Sequence, residues 1–345
     1  MGAYDYDLPV ASIAQVPAEP RDAARLLVAT GAEVAHRHVR DLPALLAPGD
    51  VLVLNDSRVL PARLELRKRT GARAEVLLLE PLDHGEPLDH SEDPAGPRRW
   101  RALVRPGRRL PPGTALCAPE APRLLVTVGE RLADGCRAVD VFGDPWTHGR
   151  LALPPYIHAP LADPQRYQTV YARRPGSVAA PTAGLHLTPA VLDACRRGGV
   201  TIAALELSVG LDTFRPVTAK DPADHVIHSE AYRVPEPTWS ACTDAARRGG
   251  RVIAVGTTTV RALETVAQTG QLTGRTGLYI HGAYPFAIVD ALLTNFHLPR
   301  SSLLLLVEAF YGPGWRSLYA TALAEGYRFL SFGDAMLLPR HAVAG

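Results

Sequence analysis

DACRRGGVTIAALEL, residues 193–207, runs from a helix end through an Arg-Arg-Gly-Gly stop into an apolar strand, and DAARRGGRVIAV, residues 244–255, repeats the pattern. In each, glycine closes the helix and an apolar run follows at once, so the chain turns back as a buried strand. Two such helix–strand units predict an α/β fold with a largely parallel sheet. In sheets of that kind ligands gather outside the carboxyl ends of the strands. The loop after the first strand, SVGLDTFRP (208–216), carries Arg215, and the loop after the second offers Gly256, Thr257 and Thr258 ahead of a helix with Arg261 and Glu264. Amides and hydroxyls at a helix N-terminus receive anions, although many strand-to-helix turns look the same.

Moving toward the N-terminus, QRYQTVYARRPGSVAAPTAGLHLTP (165–189) sets Tyr167, Thr169 and Tyr171 at alternate positions and then runs through small residues and Thr182 to Leu185-His186. Thr188-Pro189 supplies an N-cap and a proline at the first helical position, so a helix starts there. The loop reads either as a pocket where backbone approaches a ligand or as a tight packing turn. Earlier still, Pro48-Gly49-Asp50 turns into a buried strand that ends at Asn55-Asp56, a ligand-facing pair or an Asx-turn.

Toward the C-terminus, DHVIHSE (224–230) puts His228 and Glu230 two apart, on one face if extended, as a proton-moving pair needs. A metal reading through His225, His228 and Glu230 matches no standard ligand spacing. Asn295-Phe296-His297 stands between two apolar runs, and Ser301-Ser302 caps a helix after Pro299. Residues 327–335 read as an aromatic strand followed by Gly333-Asp334.

Between about residues 64 and 142 the pattern changes to short β-type runs separated by Gly, Pro and Asp, with Asp134-Gly135 as a hairpin signal. This predicts a small antiparallel β-barrel inserted at 64–149, with 1–63 and 150–345 forming a discontinuous main α/β domain. Residues 83–97 read as a mobile loop. The insert holds the densest positive charge, Arg63 to Arg73 and Arg98 to Arg109, either a track for an RNA backbone or a solvated basic face.

The 345 residues, 47% of them apolar, suffice for this arrangement, and a net charge of +2 neither demands nor excludes nucleic acid. Four scattered cysteines without a CxxC pair predict reduced, buried thiols. With no leader pattern and no apolar run of membrane-spanning length, the expectation is a soluble cytoplasmic protein, and nothing in the chain calls for more than a monomer.

The blocks GDVLVLNDSRVLPARL, RYQTVYA, GSVAAPTAGLHLT, GLDTFRPV, IHSEAYRV, GGRVIAVGTTTVRALE, DALLTNFHLPRSSLLLLVEAFYG and YRFLSFGDAM fall in order along nearly the whole chain. Together they resemble the S-adenosylmethionine:tRNA ribosyltransferase-isomerases of queuosine biosynthesis. The resemblance implies an enzyme, a transferase and isomerase, that moves the ribosyl part of S-adenosylmethionine onto 7-aminomethyl-7-deazaguanine in the tRNA anticodon. Epoxyqueuosine forms, and adenine and methionine leave. The same resemblance implies S-adenosylmethionine as a co-substrate and no metal.

Such chemistry needs a base for the ribose 5′-carbon, whose carbanion the sulfonium stabilises, and an acid for the departing adenine. His186, His228, Glu230, His297 and Asp334 are the candidates, with the assignment of roles open. Tyr167, Tyr171 and Phe296 are expected to stack on a base, or in part to pack the core; Thr169, Thr182, Arg215, Thr257, Thr258 and Asn295 are expected to hold polar groups. Three changes depart from the family pattern: Ser208 replaces a histidine, Asp212 a glycine, and Gly282-Ala283 a Pro-Gly. They keep open a paralogue acting on a small-molecule acceptor or by elimination, and a binding protein without catalysis.

Overall fold

The computed structural model describes residues 1–30, 33–82, 97–118, 120–133, 135–210, 217, 219, 221–225 and 227–341. In chain order the strands are β1 (Arg25–Thr30), β2 (Glu33–His38), β3 (Val51–Asn55) and β4 (Ser57–Val59), then β5 (Arg63–Lys68), β6 (Arg73–Pro81) and β7 (Arg98–Arg105). There follow β8 (Ala115–Ala118), β9 (Ala121–Arg131), β10 (Arg137–Phe142), β11 (Arg174–Ser177), β12 (Thr201–Leu207) and β13 (Glu230–Arg233). The last are β14 (Val252–Val255), β15 (Thr273–Thr276), β16 (Ala291–Asn295) and β17 (Ala335–Pro339). Among the described residues five α-helices accompany them: α1 (Pro189–Arg197), α2 (Glu236–Arg247), α3 (Thr257–Thr269), α4 (Ser302–Tyr311) and α5 (Trp315–Ala324). The chain forms two compact units, one of Met1–Ser57, Pro154–Arg174 and Ala180–Gly345, the other of Arg58–Leu153 and Pro175–Ala179.

The first unit is built on a nine-stranded sheet in the order β15-β13-β12-β3-β14-β16-β17-β1-β2. Its centre, β12-β3-β14-β16, is parallel, as the two helix–strand units require. The sheet as a whole is mixed, not largely parallel: β13 and β15 run antiparallel on one side, and β17 is antiparallel to β16 on the other. β2 follows β1 directly and pairs with it antiparallel, as a hairpin does.

Helix starts follow the local chemistry. Thr188 Oγ1 accepts the Val191 amide at 3.2 Å with Pro189 in the first turn, and Ser301 Oγ accepts the Leu304 amide at 3.3 Å. Each cap stabilises its helix by about 1 kcal/mol. Val191, Leu192 and Cys195 of α1 pack with Leu52, Leu54, Ile253 and Leu293 of the sheet in one buried core.

Residues 327–334 are not a strand. The segment turns, with Leu330 at φ 70°, and β17 begins only at Ala335. Its aromatic rings serve the core: Tyr327, Phe329 and Phe332 are buried, and Asp334 takes the Arg328 amide at 2.7 Å across the turn.

The second unit is a closed antiparallel barrel, β10-β7-β6-β5-β8-β9. Leu64 and Leu66, Val76 and Leu78, Trp100 and Ala102 point inward at alternate positions, and closure leaves no open edge. Asp134 of the expected hairpin and residues 83–96 of the expected loop lie outside the described residues. None of the four cysteines, all among the described residues, is in a disulfide; Cys136, Cys195 and Cys242 are buried, whereas Cys117 is half-buried. Among the described residues no helix is long and apolar enough to cross a membrane.

Candidate active site

The parallel strands β12, β3, β14 and β16 end at Leu207, Asn55, Val255 and Asn295, on one edge of the sheet. Antiparallel β17 starts at that edge, opposite Asn295, so Asp334 is there too. Across it runs a single turn of 3-10 helix, Thr182–His186. Gly256, at φ 90°, leads from β14 into α3, and a Cβ there would already be in van der Waals contact with Ala183 at 3.7 Å. The approach that small residues at 179–184 and Gly256 promised is thus made between two parts of the chain itself.

Arg21 holds the crossing segment in place. Its guanidinium donates to the carbonyls of Gln165 (2.8 Å), Gln168 (2.9 Å) and Leu185 (3.0 Å). Nothing in its sequence neighbourhood marks it, because its partners lie more than 140 positions away.

Thr182 Oγ1 donates to Asn295 Oδ1 at 2.9 Å, and Asn295 Nδ2 lies 3.0 Å from His186 Nε2 and 3.3 Å from the Asp334 carbonyl. A carbonyl only accepts, so the Asn295 amino group faces it; His186 Nε2 therefore accepts as well, and its proton resides on Nδ1. His186 is 4% exposed, and burial, with help from Arg328, Arg21 and Arg166, lowers its pKa to about 4. It is a neutral ring that orients Asn295, with its lone pair already in use.

His297 is equally closed in. Its Nε2 lies 3.0 Å from Thr294 Oγ1, its amide donates to Tyr319 Oη at 3.0 Å, and burial lowers its pKa to about 3. Asp334 spends both carboxylate oxygens on backbone amides, of Arg25 at 2.8 Å and Arg328 at 2.7 Å, while burial sets its pKa above the usual range. Its geometry is that of a clamp between β1 and the 327–334 turn.

His228 and Glu230 come together at the same edge. His228 Nε2 lies 2.8 Å from Glu230 Oε1, close enough for an ion pair though not aligned as a hydrogen bond; Oε1 accepts the Gly210 amide at 3.0 Å, and Arg261 Nη1 donates to Oε2. Burial works to raise the Glu230 pKa, but His228, Arg261 and the Gly210 amide together hold it below the ordinary carboxylate value. Arg261 is fixed in turn by the carbonyls of Leu278 at 2.9 Å and Thr276 at 3.4 Å. An imidazole backed by an anchored carboxylate has its other nitrogen available to accept a proton. His225 is not part of this pair; its ring packs against Tyr279.

Two adjoining hollows open here. His228, Thr257, Thr258, Arg261 and Tyr279 line one; Tyr156, Thr182, Asn295, His297 and Ser331 line the other; Leu303 borders both. Thr257 and Thr258 form the first turn of α3, whose free amides and dipole favour an anion. Asn55 Nδ2 reaches Thr258 Oγ1 at 3.4 Å, joining the ends of β3 and β14. Thr169 Oγ1 and Tyr171 Oη are buried without a hydrogen-bond partner among the described residues.

The aromatic candidates divide. Phe296 is wholly buried, stacked on Phe329 at 4.6 Å and edge-on to Tyr319 and Tyr327, and Tyr167 is wholly buried against Phe332. Both rings pack in the core, and Phe296 also borders the second hollow; for Tyr167, alternation along a loop does not reveal which side faces inward. Arg215 and Asp212 lie outside the described residues. The Ser208 amide donates to the Ala231 carbonyl at 3.0 Å, and Gly282-Ala283 forms a turn in which the Tyr284 amide returns to the Gly282 carbonyl.

Comparison with known proteins bears on this edge. A family model described as "Queuosine biosynthesis protein" matches residues 1–338. The chain is 48% identical over 355 residues to the S-adenosylmethionine:tRNA ribosyltransferase-isomerase of Synechococcus elongatus, covering 98% of this chain and 95% of that one. It is 49% identical over 356 residues to the protein of the same name from Thermus thermophilus, covering 97% and 98%. The crystal structure of S-adenosylmethionine tRNA ribosyltransferase from Thermotoga maritima is similar with a TM-score of 0.55 at 37% identity, covering 97% of this chain and 99% of that one.

Proposed function

Since this chain belongs to the queuosine biosynthesis protein family, we propose that it is an S-adenosylmethionine:tRNA ribosyltransferase-isomerase of the cytoplasm. Its proposed acceptor is 7-aminomethyl-7-deazaguanine in a tRNA anticodon, and its products are epoxyqueuosine, adenine and methionine. The observation that carries the reading is similarity near one residue in two over almost the full length of relatives with that name. The alternative of a small-molecule acceptor finds no support in these relatives.

Within the reaction, His228 is the proposed base. Glu230, kept ionised beside Arg261, stands 2.8 Å from Nε2, so Nδ1 takes the proton from the ribose 5′-carbon next to the sulfonium, and the imidazolium that forms is stabilised by the charge of the carboxylate. The first turn of α3 at Thr257 and Thr258 is the proposed seat of the methionine carboxylate. Thr182 and Asn295, oriented by His186, are proposed to hydrogen-bond the nucleoside, and Thr169 and Tyr171 to line its approach.

The test is adenine and methionine release from S-adenosylmethionine, with and without tRNA bearing the aminomethyl base. Release that needs this tRNA, with a matching mass gain on the nucleoside, supports the reading. Release independent of tRNA, or none, overturns it.

A further inference from the structure

The barrel's arginines are of two kinds. Arg63, Arg99, Arg101 and Arg150 face Glu75, Glu130, Glu80 and Glu65 at 2.6 to 3.5 Å. Arg67, Arg73 and Arg105 have no carboxylate within ion-pair distance among the described residues, and all three line one open cleft of about 1000 Å³ on the barrel.

Sheet register explains how they gather. Arg67 on β5 stands directly opposite Arg73 on β6, and Arg105 on β7 stands opposite Glu75, diagonal to Arg73. Like charges directly across a ladder destabilise it, and diagonal neighbours are only about 7–8 Å apart. The Arg67–Arg73 pair therefore works against the barrel's stability, whereas Arg105 faces an opposite charge in Glu75 across the ladder. The cleft's Glu65 and Glu75 are engaged by Arg150 and Arg63, which leaves Glu120 against three unpaired guanidiniums. Lys68 Nζ donates to the Arg109 carbonyl at 2.5 Å, bringing the basic turn after β7 to this same end.

We propose that this cleft seats the phosphate backbone of the tRNA substrate, with Arg67, Arg73 and Arg105 each contacting phosphate. The inference rests on the reading of the protein as a tRNA-modifying enzyme. Guanidiniums present a planar fork of donors that matches phosphate. Among the described residues no Phe, Tyr or Trp lines the cleft and His148 is the one aromatic ring that does, so the guanidiniums and their phosphate contacts, which carry no sequence information, dominate it. The cleft positions the tRNA, and the sheet edge of the other unit does the chemistry.

The experiment compares the full-length protein with an R67Q/R73Q/R105Q variant and an R99Q/R101Q control. Binding of a transcribed tRNA is titrated from 50 to 200 mM KCl, and adenine release is measured with saturating tRNA bearing the aminomethyl base. The triple variant should bind roughly ten-fold or more weakly at low salt, with its log–log salt slope reduced by about 2 to 3, while the control stays near wild type. Its kcat should be retained and only KM for tRNA should rise. An R67K/R73K/R105K variant should keep most of the slope, which separates loss of charge from loss of folding. Unchanged affinity and slope in the glutamine variant, or an equal loss in the control, overturns the inference. If wild-type protein releases no adenine with that tRNA, it is the proposed function that fails, because the binding comparison stands apart from turnover.

Discussion

At the scale of single residues, five candidate proton carriers sort by what already occupies their atoms. His186 and His297 are buried and neutral, Asp334 is spent on two amides, and only the His228–Glu230 pair combines an anchored carboxylate with a ring at a hollow. His228→Ala should therefore abolish adenine release, by 10²-fold or more, while leaving S-adenosylmethionine binding within a few-fold, read by kinetics and calorimetry side by side. Retained turnover would remove His228 from the base role. Glu230→Gln removes the charge that pairs with Arg261, both of them buried, and should cost about 3 kcal/mol in urea unfolding as well as activity.

His186 makes a pH prediction of its own. Its folded pKa is lowered to about 4 from an unfolded value near 6.5, so below 6.5 the unfolded chain binds the extra proton. Its contribution to stability is then complete above pH 6.5 and is lost as pH falls toward 4, by about 3 kcal/mol at most. His186→Gln should reduce the drop in stability between pH 7 and pH 4.5. An unchanged pH dependence would mean that the ring is not held neutral by its surroundings.

At the scale of elements, the helix–strand echo, the Thr188 and Ser301 caps and the strand ending at Asn55 were all legible, because each is written in local chemistry: a glycine stop, a hydroxyl cap, an apolar run. The 327–334 turn was not, since its aromatic pattern reflects packing against Phe296 and not a strand. Nor was the pairing of His186 with Asn295, 109 positions apart, which exists only because the Thr182–His186 turn crosses the end of β16. That crossing depends on Gly184. A Cβ there would stand 1.9 Å from Tyr171 Oη and 3.1 Å from Thr169 Cγ2. Gly184→Ala should destabilise the protein by about 1–3 kcal/mol and cut activity, and adding Tyr171→Phe should recover part of the stability. A double-mutant cycle with no coupling would show that the turn moves freely away from the tyrosine.

At the scale of the whole molecule, a net charge of +2 creates little long-range field, so any grip on a polyanion must come from local clusters. The sequence displayed such a cluster in the inserted segment without showing which arginines were spoken for; register and ion pairing make that distinction, and neither is visible before the strands are aligned. The consequence is an asymmetry between the two substrates. Release of counterions from about three phosphates gives a log–log slope near 2.7, so raising KCl from 50 to 200 mM should raise KM for tRNA roughly 40-fold. At the proposed sheet-edge site S-adenosylmethionine would meet mainly buried groups, where salt screens little, and its KM should change by no more than about two-fold. Steady-state adenine release with each substrate varied in turn measures both. Equal salt sensitivity of the two KM values would mean that salt acts on the catalytic unit itself, and the division of labour between basic barrel and sheet edge would fall.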